Sequence, residues 1–184
     1  MPKYGGKEIA TAFRTVRKNT IQVAEDIPEG KYEFKATPDT RSIAQTLVHI
    51  AYSPEFAFSI HGDKVTDMTK VNFPELFQKI AAEESKPRNK AEIIALLKTQ
   101  GDRYASFVEG LPDSFLDEVL TMPPGGTPAT RTRFDMLLGP KEHEMHHRGQ
   151  LMLLERMVGV VPHLTRQRQE QQSARAQSAQ AQKK

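Results

Sequence analysis

The sequence contains no cysteine. Disulfides, thiolate nucleophiles and cysteine-based zinc knuckles are therefore excluded, nothing points to an oxidising compartment, and any bound metal has to rest on His, Asp or Glu. Long apolar runs are missing too. No stretch approaches the roughly 18 apolar residues that cross a bilayer, and the N-terminal MPKYGGKEIA lacks the apolar centre of a secretory signal. The expectation is a cytoplasmic protein with no membrane partner. Alternating β-branched residues are scarce, with EVLTM at 118–122 as the one short candidate strand. No internal repeat is visible.

What is present suffices for one domain of 184 residues, since domains commonly span about 100 to 200. A pI of 9.1 and a net charge of +3 raise the question of nucleic acid. The charge is local, however. From Leu164 onward the chain carries Arg166, Arg168, Arg175, Lys183 and Lys184 against Glu170, so the tail is +4 and residues 1–163 sum to −1. The segment RQRQEQQSARAQSAQAQKK has almost nothing larger than alanine to bury and reads as frayed helix or disordered chain. The expected organisation is a bundle domain over residues 1–163 and a low-complexity basic tail over 164–184, with no specific nucleic-acid binding.

Ile9, Phe13, Val16, Thr20, Val23 and Ile27 recur at steps of three and four, the stripe of an amphipathic helix over 7–27 that Pro28 and Gly30 stop. A second helix is expected from Asp39 or Thr40 to Ile60, kinked at Pro54 and ended at His61 and Gly62. FPELFQKIAAEE adds a short helix. Asn89 with Glu92 forms a capping box for a helix reaching Leu111. MPPGGTP is a loop, and a last long helix is expected from Thr130 to Val158, bent at Gly139 and Pro140. Four long amphipathic segments predict an all-α four-helix bundle, in which metal sites form from side chains on facing helices.

GPKEHEMHHRGQ at 139–150 carries the densest chemistry. Each helical residue turns by about 100°, so His143 and His147 stand one above the other and their imidazoles can reach one ion. Met136, Gly139, Gln150 and Leu154 share that side, a mixture that suits a cleft wall. His146 points about 100° away from His147 and reads as a residue that supports the ligands from behind or as a surface residue. A pair leaves a metal under-coordinated, and His49, on a polar stripe with Ser42, Gln45, Thr46, Ser53 and Phe56, is the candidate third ligand. Three imidazoles leave a position open for water or substrate, as catalytic sites do. His61 and His163 fall at expected helix ends and read as dipole-facing or solvent-facing. Gly149, mid-helix, costs around 1 kcal/mol relative to Ala, which close packing of another helix would offset.

HEMHH also spells HExxH, in which His143 and His147 would bind zinc and Glu144 would act as general base in a protease. The longer metzincin pattern fails, because Gln150 and Leu153 stand where its glycine and third histidine belong. Proteolysis therefore remains a remote alternative.

RSIAQTLVHIA at 41–51, followed by HEMHHRGQLMLLERMVGVVP at 143–162, resembles the DinB-like (YfiT-like) superfamily of bacterial four-helix-bundle metalloenzymes over residues 5–163. In that family one histidine of the second helix and two of the last bind a divalent metal, usually zinc or nickel, which implies His49, His143 and His147. Relatives include thiol-dependent S-transferases and a mycothiol-dependent isomerase. The resemblance implies a metal-dependent transferase or hydrolase acting on a small electrophilic molecule, with a low-molecular-weight thiol or water as nucleophile. Gln150 would orient the nucleophile or a ligand imidazole, and homodimers are expected, as in relatives. A non-enzymatic metal-binding or ligand-binding stress-response protein is the alternative. The tail inherits nothing from the family.

Overall fold

The stripe from Ile9 to Val23 forms the buried face of α1, Gly6–Asp26. The computed structural model describes residues 4–181, with side chains through residue 178. Helix α2, Ile43–Tyr52, starts later than expected because Ser42 is its cap. The Ser42 Oγ accepts from the Gln45 N–H at 3.2 Å, and Gln45 Oε1 accepts from the Ser42 N–H at 2.9 Å. The Thr46 hydroxyl donates to Ser42 O at 2.8 Å. Much of the polar stripe expected around His49 is thus the start of the helix.

Pro54 does not kink one long helix; it opens a new one. Without an N–H it suits a first turn. Helix α2 ends at Tyr52, α3 is Glu55–Ala57, and the chain continues into a π-helical turn, Phe58–Gly62. That turn shifts the angular phase, and His61 is buried rather than solvent-facing. Helix α4 is Phe73–Glu84, α5 is Lys90–Glu109 behind the expected Asn89/Glu92 box, and α6 is a short turn, Asp113–Leu116.

EVLTM does contain a strand, β1 (Val119–Thr121), paired antiparallel with β2 (Thr130–Thr132). The second strand takes residues read above as helix. Helix α7, Arg133–Met157, begins only after Thr132, whose hydroxyl accepts from the Asp135 N–H at 3.1 Å. It runs as one helix through Gly139 and Pro140. Helix α8, His163–Ala181, spans the residues read as frayed or disordered, and residues 167–178 are all exposed. No helix among the described residues is long and apolar enough to cross a membrane.

Helix α1 packs along α5 and α7, and α2 lies against α4, α5 and α7. Ile27, Leu47, Ile50, Leu97 and Leu151 fill one end of the bundle; Phe13, Tyr104, Val108 and Leu137 fill the other. Each such side chain contributes about 1.5–3 kcal/mol when fully buried. Two expectations fail here. Gly149 is exposed with nothing within 4 Å of a Cβ built on it, so no helix of the described residues packs there. His163 is buried at the N-terminus of α8, not at a C-terminus, with Nε2 3.3 Å from Asn19 Oδ1.

Near the α7–α8 junction Glu155 is fully buried, and among the described residues neither carboxylate oxygen has a partner. Burial, aided by Asp26, pushes its carboxyl from 4.5 up to about 7. Folding therefore takes up a proton between these values, and stability present below pH 4.5 is lost as the pH rises through 7. Glu155→Gln is expected to raise the melting temperature clearly at pH 8, by the equivalent of roughly 1–3 kcal/mol, and by less at pH 5. Circular-dichroism melts at the two pH values check this; an equal gain at both would contradict it.

Candidate metal centre

His49 leaves α2 toward α7, and His143 and His147 rise from successive turns of α7. The Nε2 atoms of His49 and His147 each lie 3.2 Å from Nε2 of His143. Among the described residues this is the group of His and acidic side chains that could hold a metal, with ligand atoms all within 4.8 Å of one another. Two nitrogens bonded tetrahedrally to one zinc at about 2.0–2.1 Å would stand about 3.3 Å apart. The donor set fits.

The outer nitrogens are tied down. The His49 Nδ1–H donates to Glu84 Oε1 at 2.7 Å, and the His147 Nδ1–H donates to Gln150 Oε1 at 2.8 Å. In the ligating form each of these two rings aims an Nε2 lone pair inward. His143 can offer a proton to one of its neighbours but not both, so a metal-free centre keeps two lone pairs in apposition. A cation removes that conflict. His143 differs in that its Nδ1 is buried without a partner among the described residues. Burial, with the neighbouring His147 and His49, pushes its imidazole down to about 4. Burial lowers His147 too, against its bond with Gln150. Neutral imidazole is the ligating form.

Glu84, at the end of α4, was not singled out in the sequence. Leu76 and Ile80, eight and four residues earlier, are both buried, so Glu84 continues an inward stripe. Burial alone would push its carboxyl up, but hydrogen bonds from His49 and Arg41 together outweigh this and hold it below the usual range. Glu84→Ala is expected to weaken metal binding by roughly 10- to 100-fold, as loss of such outer partners does. Competitive titration against a chelating dye measures it.

Of the face of α7 read as a cleft wall, Met136, Gly139 and His143 line a cavity, whereas Gln150 is exposed and Leu154 packs into the apolar core. Met136, Gly139 and His143 meet Ser53, Ile60 and His61 around a space of about 300 Å³.

The sequence profile of the DinB superfamily matches residues 12–151. The chain belongs to the DinB superfamily. Solved DinB structures share the fold. A DinB-like protein of Bacillus subtilis is 22% identical with a TM-score of 0.58, covering 83% of this chain and 92% of its own. YfiT of Bacillus subtilis is 16% identical with a TM-score of 0.63, covering 87% and 91%. YfiT is described as a probable metal-dependent hydrolase with an unusual four-helix bundle topology. A Clostridium difficile protein is 13% identical with a TM-score of 0.63, covering 86% and 99%. No curated protein matches the chain.

In this DinB bundle Glu144 cannot serve as the base that HExxH would require. It is fully buried, pointing into the bundle away from the cavity wall, and its carboxylate is taken by Arg17, whose Nε donates to Oε1 at 2.9 Å and to Oε2 at 3.0 Å. Arg17 also donates to Leu97 O at 2.7 Å and to Ile50 O at 3.3 Å. One guanidinium thus joins α1, α2, α5 and α7. Gly101 makes room for it, since a Cβ there would lie 2.8 Å from Arg17 Cγ. His146 is exposed, as expected, with Nε2 3.1 Å from Gln150 Nε2.

Proposed function

We propose that this chain is a divalent-metal-dependent enzyme of small-molecule chemistry, a hydrolase or a thiol S-transferase. The observation that carries this reading is the convergence of three imidazole nitrogens, two with their outer nitrogens fixed, beside a cavity that shares His143. His49, His143 and His147 would hold the ion, zinc or nickel. When bound, it supplies Lewis-acid charge that favours the anion of water or of a low-molecular-weight thiol at neutral pH. Three protein ligands leave room for that nucleophile. Glu84 and Gln150 hold the rings in register, and the apolar wall of Phe56, Ile60 and Met136 receives the substrate's body and excludes water. The description of YfiT supports the hydrolytic branch.

The bundle over residues 1–163 forms the catalytic unit in this reading, and the exposed part of α8 lies outside it. A second copy would pair on the exposed face of α7 carrying Met145, Leu153 and Met157. Incubating zinc- or nickel-loaded protein with small esters, and with alkylating electrophiles plus a thiol, tests the proposal. One class is expected to be turned over, with activity lost in His147→Ala. Full metal occupancy without turnover across both panels would leave a non-enzymatic metal binder.

A further inference from the structure

The cavity beside His143 has a polar fixture that the metal reading does not use. His61 is 3% exposed and lines the space, brought inward by the π-helical turn Phe58–Gly62. Such turns are frequent at functional sites. Behind it Arg133, itself fully buried, places NH1 3.3 Å from His61 Nδ1 and donates from Nε to Glu118 Oε2 at 2.8 Å. A guanidinium has only donors, so His61 Nδ1 must accept and the ring proton sits on Nε2. Burial, with the Arg133 charge, pushes the imidazole down to about 4, which keeps the ring neutral and this tautomer in place at pH 7. Among the described residues Nε2 has no hydrogen-bond partner.

We propose that this cavity binds a small, uncharged molecule through an apolar body and a carbonyl oxygen, which accepts the hydrogen bond of the His61 Nε2–H. Charge argues for a neutral ligand. The Arg131 guanidinium at the rim is paired with Asp135, and Arg133 is paired with Glu118. The walls are Phe56, Ala57, Ile60 and Met136, and the volume of about 300 Å³ sits at the lower end of small-molecule sites, roughly 300–1,000 Å³. One ring or a short acyl chain fits. His143 forms part of the same wall, so the carbonyl carbon lies on the side of the triad; this orientation rests on the metal-centre reading, whereas the pocket and its donor do not. His61 is then a binding residue that selects carbonyl compounds, esters and amides included.

Gly139 offers a clean probe. A Cβ built there meets nothing within 4 Å, and the residue lines the cavity, so a larger side chain grows into the space. The experiment uses metal-free full-length protein, so that failure of the metal reading cannot be mistaken for failure of this one. Binding of acetophenone is compared by calorimetry and NMR with that of α-methylstyrene, which replaces the carbonyl oxygen by a CH₂ group. Wild type is expected to prefer acetophenone by about three- to tenfold, and the His61 Nε2–H resonance shifts with acetophenone alone. His61→Phe abolishes the preference, and His61→Gln restores part of it through its amide donor. Should His61→Phe lose the fold, Gly139→Leu carries the test by abolishing binding of both probes. Equal binding of the two probes, no binding of either, a preference that survives in His61→Phe, or unchanged binding in Gly139→Leu would each overturn the assignment.

Discussion

His147→Ala is expected to release the metal while leaving the bundle folded. Loss of outer partners alone commonly weakens a site 10- to 100-fold, so removing one of three ligands should cost more than roughly 100-fold in affinity. The substitution is structurally mild. His147 packs against His143, His146 and His49 rather than into either apolar cluster, and its Nδ1 partner Gln150 is exposed and can turn to water. His143→Ala is expected to have the same effect on metal but to open the cavity wall as well. Equilibrium dialysis with zinc, alongside a thermal melt of the metal-free proteins, separates lost ligation from lost fold. Near-wild-type affinity in His147→Ala would remove it from the site.

The second large effect is on stability. Arg17→Met leaves the Glu144 carboxylate fully buried without its counter-ion, and strips the donors from Leu97 O and Ile50 O. Breaking one side of a buried pair typically costs about 3–5 kcal/mol, which in a chain of this size lowers the melting temperature by on the order of 10 °C. Arg17→Met combined with Glu144→Leu is expected to recover most of the loss, because a buried ion pair replaced by apolar groups of similar volume is often neutral or stabilising. Urea unfolding of both variants decides it. A cost below about 1 kcal/mol for the single change would show that the pair is not held as described.

These two predictions come from residues of very different visibility in the sequence. His143 and His147 were legible because a spacing of four on a helix needs no tertiary information, and His49 because it interrupts an apolar helix. Glu144 was harder. Its place in HExxH invites a catalytic role, yet it also falls seven residues from Leu137 and seven from Leu151, both fully buried, and that heptad stripe marks it as a core residue seeking a cation. Arg17 lies one residue beyond Val16 on the buried side of α1, and only the fold shows that the two charges meet.

The bundle itself was readable from helical periodicity and capping. What periodicity could not supply were the breaks in phase. Pro54 and the π-helical turn after it redirect His61 into the cavity, while Thr130–Thr132 find their partner strand across a loop. Both depend on contacts distant in sequence or on a local change of helical pitch. Glu84 was hidden for a related reason: its role depends on α4 closing over α2, which no local pattern specifies.

The most direct test of the account is a crystal structure of protein grown with zinc, with an anomalous difference map recorded above the zinc edge. One peak per chain is predicted, within bonding distance, about 2.0–2.1 Å, of Nε2 of His49, His143 and His147 together. A peak elsewhere, or three rings turned apart with no peak between them, would contradict it.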